Sequence, residues 1–211
     1  MAATNRRLLP EGLQNRFSKL LTPLVNALTR WGIHPNSLSL AGLAITFMAA
    51  AALIKGHLRI AGLLILLGGL CDSIDGKLAR CSGKVTRFGA LFDSVIDRYS
   101  EFVMFLGIAA YFITMKNYFS LGVTFLALCG SIMVSYSRAR AESLGFEAKA
   151  GMMQRAERIL FLGFGALIHP LVFKLSLWLV AILANFTALQ RIRHASQQEA
   201  SHSAQKPAAE P

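Results

Sequence analysis

Residues 71–98 read CDSIDGKLARCSGKVTRFGALFDSVIDR and place four aspartates, Asp72, Asp75, Asp93 and Asp97, in a chain otherwise apolar enough for a lipid bilayer. Of its 211 residues, 54% are hydrophobic and only 16% are charged, and the mean hydropathy is +0.48, outside the range of an ordinary water-soluble domain. A carboxylate buried at membrane depth is strongly destabilising unless something neutralises it. This stretch therefore raises two questions together: what the fold is, and what the carboxylates are for.

On either side of it run apolar segments long enough to cross about 30 Å of hydrocarbon, which takes roughly 20 helical residues. Six spans are expected, near 36–54, 58–80, 89–114, 118–141, 156–169 and 171–190, the fifth being the shortest. Helices satisfy their backbone polar groups internally, as lipid requires. The expected fold class is thus an all-α integral membrane protein, with residues 31–191 forming a six-helix transmembrane domain. Before it, residues 11–30 put Leu13, Phe17, Leu20, Leu21, Leu24 and Leu28 on one helical face and basic residues on the other. That pattern fits an N-terminal interfacial amphipathic helix within a cytoplasmic segment 1–30, or equally an amphipathic helix packed on the protein. Residues 192–211 are small and polar and are expected to form a disordered cytoplasmic tail. No internal repeat is visible.

The net charge of +11 suits nucleic acid or an anionic lipid surface, and the apolar runs decide for lipid, so no nucleic-acid partner is expected. Lys55, Arg59, Lys116 and Lys174 are the only basic residues near the gaps after the first, third and fifth spans; the other 18 of the 22 lie in the tails and around the second-to-third and fourth-to-fifth connections. Under the positive-inside rule both termini and the aspartates face the cytoplasm. The first twenty residues are polar and lack a cleavable signal core, so the first apolar helix is expected to serve as the membrane signal. Cys71, Cys81 and Cys129 have no disulfide or zinc spacing and read as packing residues, and the five histidines read as structural or solvated.

On helices, Asp72 and Asp75 share a face at a separation of three, and Asp93 and Asp97 share one at four. Two neighbouring helices can thus bring four carboxylates together. Like charges so close cannot all stay ionised without a counterion, and oxygen-only donors select a hard cation such as Mg²⁺, Mn²⁺ or Ca²⁺. Gly76 and Gly89 leave bare backbone beside the carboxylates, open either to a ligand or to close helix packing. Arg80 could hold a phosphate, or anchor the helix end at the cytoplasmic surface. A salt-bridge network with Lys77, Arg80, Arg87 and Arg98 is the structural alternative for the whole cluster.

These residues spell DxxDGxxAR, eight residues, then GxxxDxxxD: Asp72, Asp75, Gly76, Ala79, Arg80, Gly89, Asp93 and Asp97. The pattern resembles the signature of the CDP-alcohol phosphotransferase family at every fixed position, over roughly residues 20–191. The resemblance implies an enzyme that transfers a phosphatidyl group from CDP-diacylglycerol to a small alcohol and releases CMP. It implies two divalent ions, Mg²⁺ or Mn²⁺, on Asp72, Asp75, Asp93 and Asp97, with Asp97 also the catalytic base. It implies that Asp72, Gly76, Ala79, Arg80 and Gly89 receive the CDP moiety, and that the protein pairs as a homodimer.

The acceptor is less constrained. The segment FDSVIDRYSE and the PNSLS stretch at 35–39 resemble the branch that makes phosphatidylinositol or its phosphate, rather than the DPxADK pattern of phosphatidylglycerophosphate synthases. In that branch basic residues hold inositol phosphate, which assigns Arg138, Lys149, Arg155 and Arg158 to the acceptor phosphate. The same basic cluster could instead be a topology determinant against anionic lipid, and glycerol 3-phosphate remains a competing acceptor. Asn36 and Ser39 border the cytidine by analogy, or cap a helix. Glu101 either extends the acidic face or pairs with Arg98. A reading from another class is a divalent-cation transporter, since intramembrane aspartates also build ion paths; the one-ended placement of the acidic residues argues against it.

Overall fold

A computed structural model describes residues 11–147 and 151–205. Among these, every regular element is an α-helix: α1 (Glu11–Arg30), α2 (Pro35–Ile54), α3 (Leu58–Cys81), α4 (Arg87–Thr114), α5 (Tyr118–Ser143), α6 (Arg155–Ile168) and α7 (Pro170–Gln205). The protein is all-α, as its apolar runs require. Three helices are long and apolar enough to cross a membrane: α2, α5 and the 170–201 part of α7. In α3 and α4 the carboxylates and neighbouring cations shorten the uninterrupted apolar length. The 14 residues of α6 reach about 21 Å at 1.5 Å per residue.

Local chemistry sets the helix starts. Pro35 opens α2, where its missing N–H costs nothing, and the His34 imidazole accepts from the Asn36 N–H at 3.2 Å. Thr86 caps α4 by accepting from the Gly89 N–H at 2.9 Å, and the Glu157 carboxylate accepts from the Gln154 N–H at 3.0 Å ahead of α6.

The core lies among α2–α7. Helix α2 packs on α3 and α4, α3 on α6, α6 on α7, and α5 on both α4 and α7. Phe112 stacks on Phe173 with ring centroids 6.0 Å apart, and Leu53, Ile108, Leu162 and Val180 around them are fully buried. The α3–α6 crossing is close because Gly62 has no side chain: a Cβ there would come within 2.7 Å of the Gly163 carbonyl. That crossing carries the start of α6 to the acidic end of α3. Large apolar side chains such as Phe47, Leu106, Phe125, Leu175 and Ile182 cover the outside, a perimeter suited to lipid and not to water.

Two sequence expectations meet a different structure. Helix α1 forms, but Leu21 and Val25 bury against Ile74 and Leu78 of α3, with Leu28 packed alongside, while Leu20 and Leu24 point away. Its buried face is therefore rotated from the expected stripe; the side chains of Leu13 and Phe17 lie outside the described residues. The tail expected to be disordered from 192 onward is helical to Gln205, with only 206–211 outside the description. Its Ala, Gln and Glu residues are good helix formers, and α7 simply continues through them.

Candidate active site

The acidic end of α3 meets the first half of α4 beneath the start of α2. Asp72, Asp75 and Asp93 each offer a carboxylate oxygen, and the three oxygens lie within 4.8 Å of one another. Asp75 is buried and accepts from the Ser39 hydroxyl of α2 at 2.7 Å. That bond fixes one carboxylate oxygen and ties α2 to α3. The Oδ1 atom of Asp93 is buried with no hydrogen-bond partner. A buried anionic oxygen without a partner is strongly unfavourable, and here it faces two more carboxylates. This all-oxygen donor set with an orphaned member fits a hard divalent cation.

Asp97 stands outside that group of three. Its carboxylate pairs with Arg155 from α6, and Arg98 approaches it at 3.4 Å. Arg155 also lies 3.6 Å from Asp72 Oδ1, so one guanidinium spans the two helices that carry the acidic motif. One helical turn further along both helices, Glu101 and Arg158 pair at 2.7 Å. Arg98 flanks Glu101 at 3.9 Å, which answers the question of Glu101: it pairs with cations and does not extend the acidic face.

A cleft opens beside the carboxylates. It is lined by Asn36 and Ser39 of α2, Gly76, Ala79 and Arg80 of α3, the 84–86 turn, and Gly89 and Asp93 of α4. At Gly76 a Cβ would meet only the Arg80 guanidinium at 3.9 Å, so that position is open floor. At Gly89 a Cβ would sit 2.9 Å from the Thr86 hydroxyl and 3.7 Å from Asn36 Oδ1, so glycine protects both the cap and the cleft. A second cavity runs from Asp72, Asp75 and Asp97 inward past Thr46, Gly68 and Ser100 to Glu101.

All eight motif residues therefore gather on one site. The basic residues do so unequally. Arg155 enters the site, and Arg138 lies at the exposed end of α5 bonded to Glu142 at 2.8 Å. Lys149 lies outside the described residues. Arg158 departs from its expected place at the acceptor: it is 1% exposed and its guanidinium is committed to Glu101, because its position on α6 points into the bundle. Ser39 is the residue the sequence undervalued. His34 supplies the α2 cap, which frees the Ser39 hydroxyl for Asp75. Lys84 and Thr86 also line the cleft without having been singled out; the one sequence signal was a threonine at cap spacing before Gly89.

Known proteins resemble this chain in sequence and fold. An archaetidylinositol phosphate synthase of Pyrococcus horikoshii is 39% identical over 88% of this chain and 95% of its own length. A phosphatidylinositol phosphate synthase of Mycobacteroides abscessus is 33% identical over 86% of each chain. The crystal structure of the Mycobacterium tuberculosis phosphatidylinositol phosphate synthase PgsA1 with CDP-DAG bound superposes with a TM-score of 0.75 at 28% identity, covering 84% of this chain and 94% of that one. The same enzyme has been crystallised with manganese and citrate. The profile of the CDP-alcohol phosphatidyltransferases matches residues 32–189, the part of the chain that holds all eight motif residues, and the protein belongs to that family.

Proposed function

We propose that this protein transfers the phosphatidyl group of CDP-diacylglycerol to inositol phosphate and releases CMP, as a step in phospholipid synthesis. The observation that carries the reading is the cluster of Asp72, Asp75 and Asp93 at the mouth of a cleft lined by small residues and Arg80. The Pyrococcus and Mycobacteroides relatives bear names that differ in the lipid but agree on an inositol phosphate product, which favours that acceptor over glycerol 3-phosphate.

In this reading Asp72, Asp75 and Asp93 hold Mg²⁺ or Mn²⁺, with Asp97 completing a two-ion set. Such ions would supply charge stabilisation to the pyrophosphate and the departing CMP. The protein's own groups do the rest. Ser39 orients Asp75. Gly76, Ala79 and Gly89 leave room for the nucleotide, and Arg80 binds its phosphates bidentately. Asp97 accepts the proton of the acceptor hydroxyl as the oxygen bonds to phosphorus and the phosphoanhydride breaks toward CMP. Arg138 and Arg155 hold the acceptor phosphate.

The membrane arrangement belongs to the same proposal. Helices α2–α7 form six crossings, with α6 the shortest, α1 lying at the interface, and both termini and the site on the cytoplasmic side, as the Lys and Arg distribution favours. Pairing as a homodimer rests on the family resemblance. The test is CMP release by purified protein from CDP-diacylglycerol with Mn²⁺ or Mg²⁺, compared across inositol phosphate, glycerol 3-phosphate, inositol and serine. Release driven by inositol phosphate is expected. Release with glycerol 3-phosphate alone would move the protein to the competing acceptor, and metal flux without CMP would remove it from this chemistry.

A further inference from the structure

Helix α7 runs well past residue 189, where the family match ends, and its extension grips the α5–α6 connection. The Gln198 side-chain amide accepts from the Glu147 backbone N–H at 2.9 Å and donates to the Glu147 carbonyl at 2.8 Å. One primary amide thus satisfies both backbone polar groups of one residue, as a neighbouring strand would. Its second N–H is directed at His194 Nδ1, one turn earlier on α7, at 2.9 Å. With its oxygen and both hydrogens engaged, the amide has one orientation that fits the network.

The far end of the same connection is also fixed on α7. The Met153 N–H donates to the Thr187 hydroxyl at 3.0 Å, and the Met153 side chain is fully buried. Two residues later Arg155 begins α6 and reaches Asp72 and Asp97. The two attachments differ in kind. Residues 142–145 and Glu147 are exposed, so little apolar burial holds that end and the Gln198 bonds are its anchor. At Met153, packing holds the chain as well.

We propose that Gln198 is a positioning residue for the acceptor: by clamping Glu147 onto the extension of α7, it fixes the C-terminal end of α5, which carries Arg138 toward the acceptor phosphate. The proposal rests on the acceptor reading given above. It predicts a separation that a merely structural role would not produce. Neither Gln198 nor Glu147 belongs to the Asp72–Asp75–Asp93 cluster or lines the nucleotide cleft, so the loss of the clamp reaches the acceptor and spares the CDP-linked lipid.

The experiment uses the full chain in liposomes. Gln198→Ala removes both bonds to Glu147 and is expected to raise the KM for inositol phosphate about tenfold, with the KM for CDP-diacylglycerol changed by less than about twofold. Gln198→Glu keeps one acceptor and loses both donors, and is expected to fall between the two. Amide hydrogen exchange at Glu147 should quicken in Gln198→Ala, which removes the acceptor of that N–H, and change less in Gln198→Glu, while the melting temperature holds. An unchanged acceptor KM, an equal rise for both substrates, or unchanged exchange at Glu147 would each overturn the proposal. If the wild type uses another polyol phosphate, the same comparison is made with that acceptor. If it releases CMP with none, the acceptor role falls with the reading it rests on, and exchange at Glu147 still decides whether the clamp exists.

Discussion

Glu101 and Arg158 form an ion pair inside the bundle, 2.7 Å apart and no more than 3% exposed on either side chain, one helical turn beneath the pairing of Asp97 with Arg155. The two pairs are successive rungs between α4 and α6. The lower rung is buried and the upper one faces the site. Removing one partner of a buried pair strands the other charge, at a cost of about 3–5 kcal/mol, whereas replacing both can be nearly neutral. Arg158→Met and Glu101→Leu should each lower the melting temperature markedly, and the double variant should recover much of the loss. A thermal series in detergent checks this; additive losses in the double variant would show that the residues do not act as a pair.

Asp97 differs from the other motif aspartates in its company, since it faces Arg155 and Arg98 and stands apart from the group of three. As a general base it should contribute about 10²–10⁴ in rate. Asp97→Asn is expected to slow CMP release by about that factor while CDP-diacylglycerol still binds. Asp72→Asn and Asp75→Asn should instead raise the Mn²⁺ concentration needed for activity. Steady-state kinetics against Mn²⁺ separates the two patterns, and wild-type turnover in any of the three would remove its assigned role.

The helices were legible because hydrophobic length and helix period are local properties: α2–α6 begin and end within two residues of the apolar runs that predicted them. The acidic site was legible for the same reason, since its spacing of three and four residues fixes a face before any packing is known. What the sequence hid is what depends on distant partners. Ser39 meets Asp75 across 36 positions, and Arg158 meets Glu101 across 57, so neither an N-cap rule nor a positive-charge count could find them. The α7 extension was misread because small polar residues suit disorder and an exposed helix alike, and Gln198 has its partner 51 positions away.

Arg155 supplies positive charge to Asp72 and Asp97 within the same site that would receive divalent cations. Its removal should have opposite effects on two measurements. Without metal, Arg155→Ala leaves the carboxylates uncompensated and should lower the melting temperature. With Mn²⁺, the vacated charge favours the ion, so the stabilisation on adding metal should exceed that of the wild type. In kinetics the same variant should raise the KM for a phosphorylated acceptor. Melting curves with and without Mn²⁺ provide the check, and identical metal shifts in the two proteins would show that Arg155 does not share the site with the ion.

Gly76 and Gly89 border one cleft, yet their surroundings predict different consequences of adding a side chain. A Cβ on Gly76 meets only a flexible guanidinium at 3.9 Å, so Gly76→Val should fold with at most the modest penalty of a β-branched residue in a helix. Its branches would then occupy the cleft, and binding of CDP-diacylglycerol should fall by more than about tenfold through steric exclusion. At Gly89 the added carbon would press on the Thr86 hydroxyl that caps α4, so Gly89→Ala should lose about 1 kcal/mol of stability as well as nucleotide affinity. Thr86→Ala distinguishes the causes, since it removes the cap without filling the cleft. If Thr86→Ala reproduces the stability loss of Gly89→Ala but leaves CDP-diacylglycerol binding near wild type, cap and cleft are separate functions of one glycine; an equal loss of binding in Thr86→Ala would mean that the start of α4, and not the space beside it, governs the nucleotide.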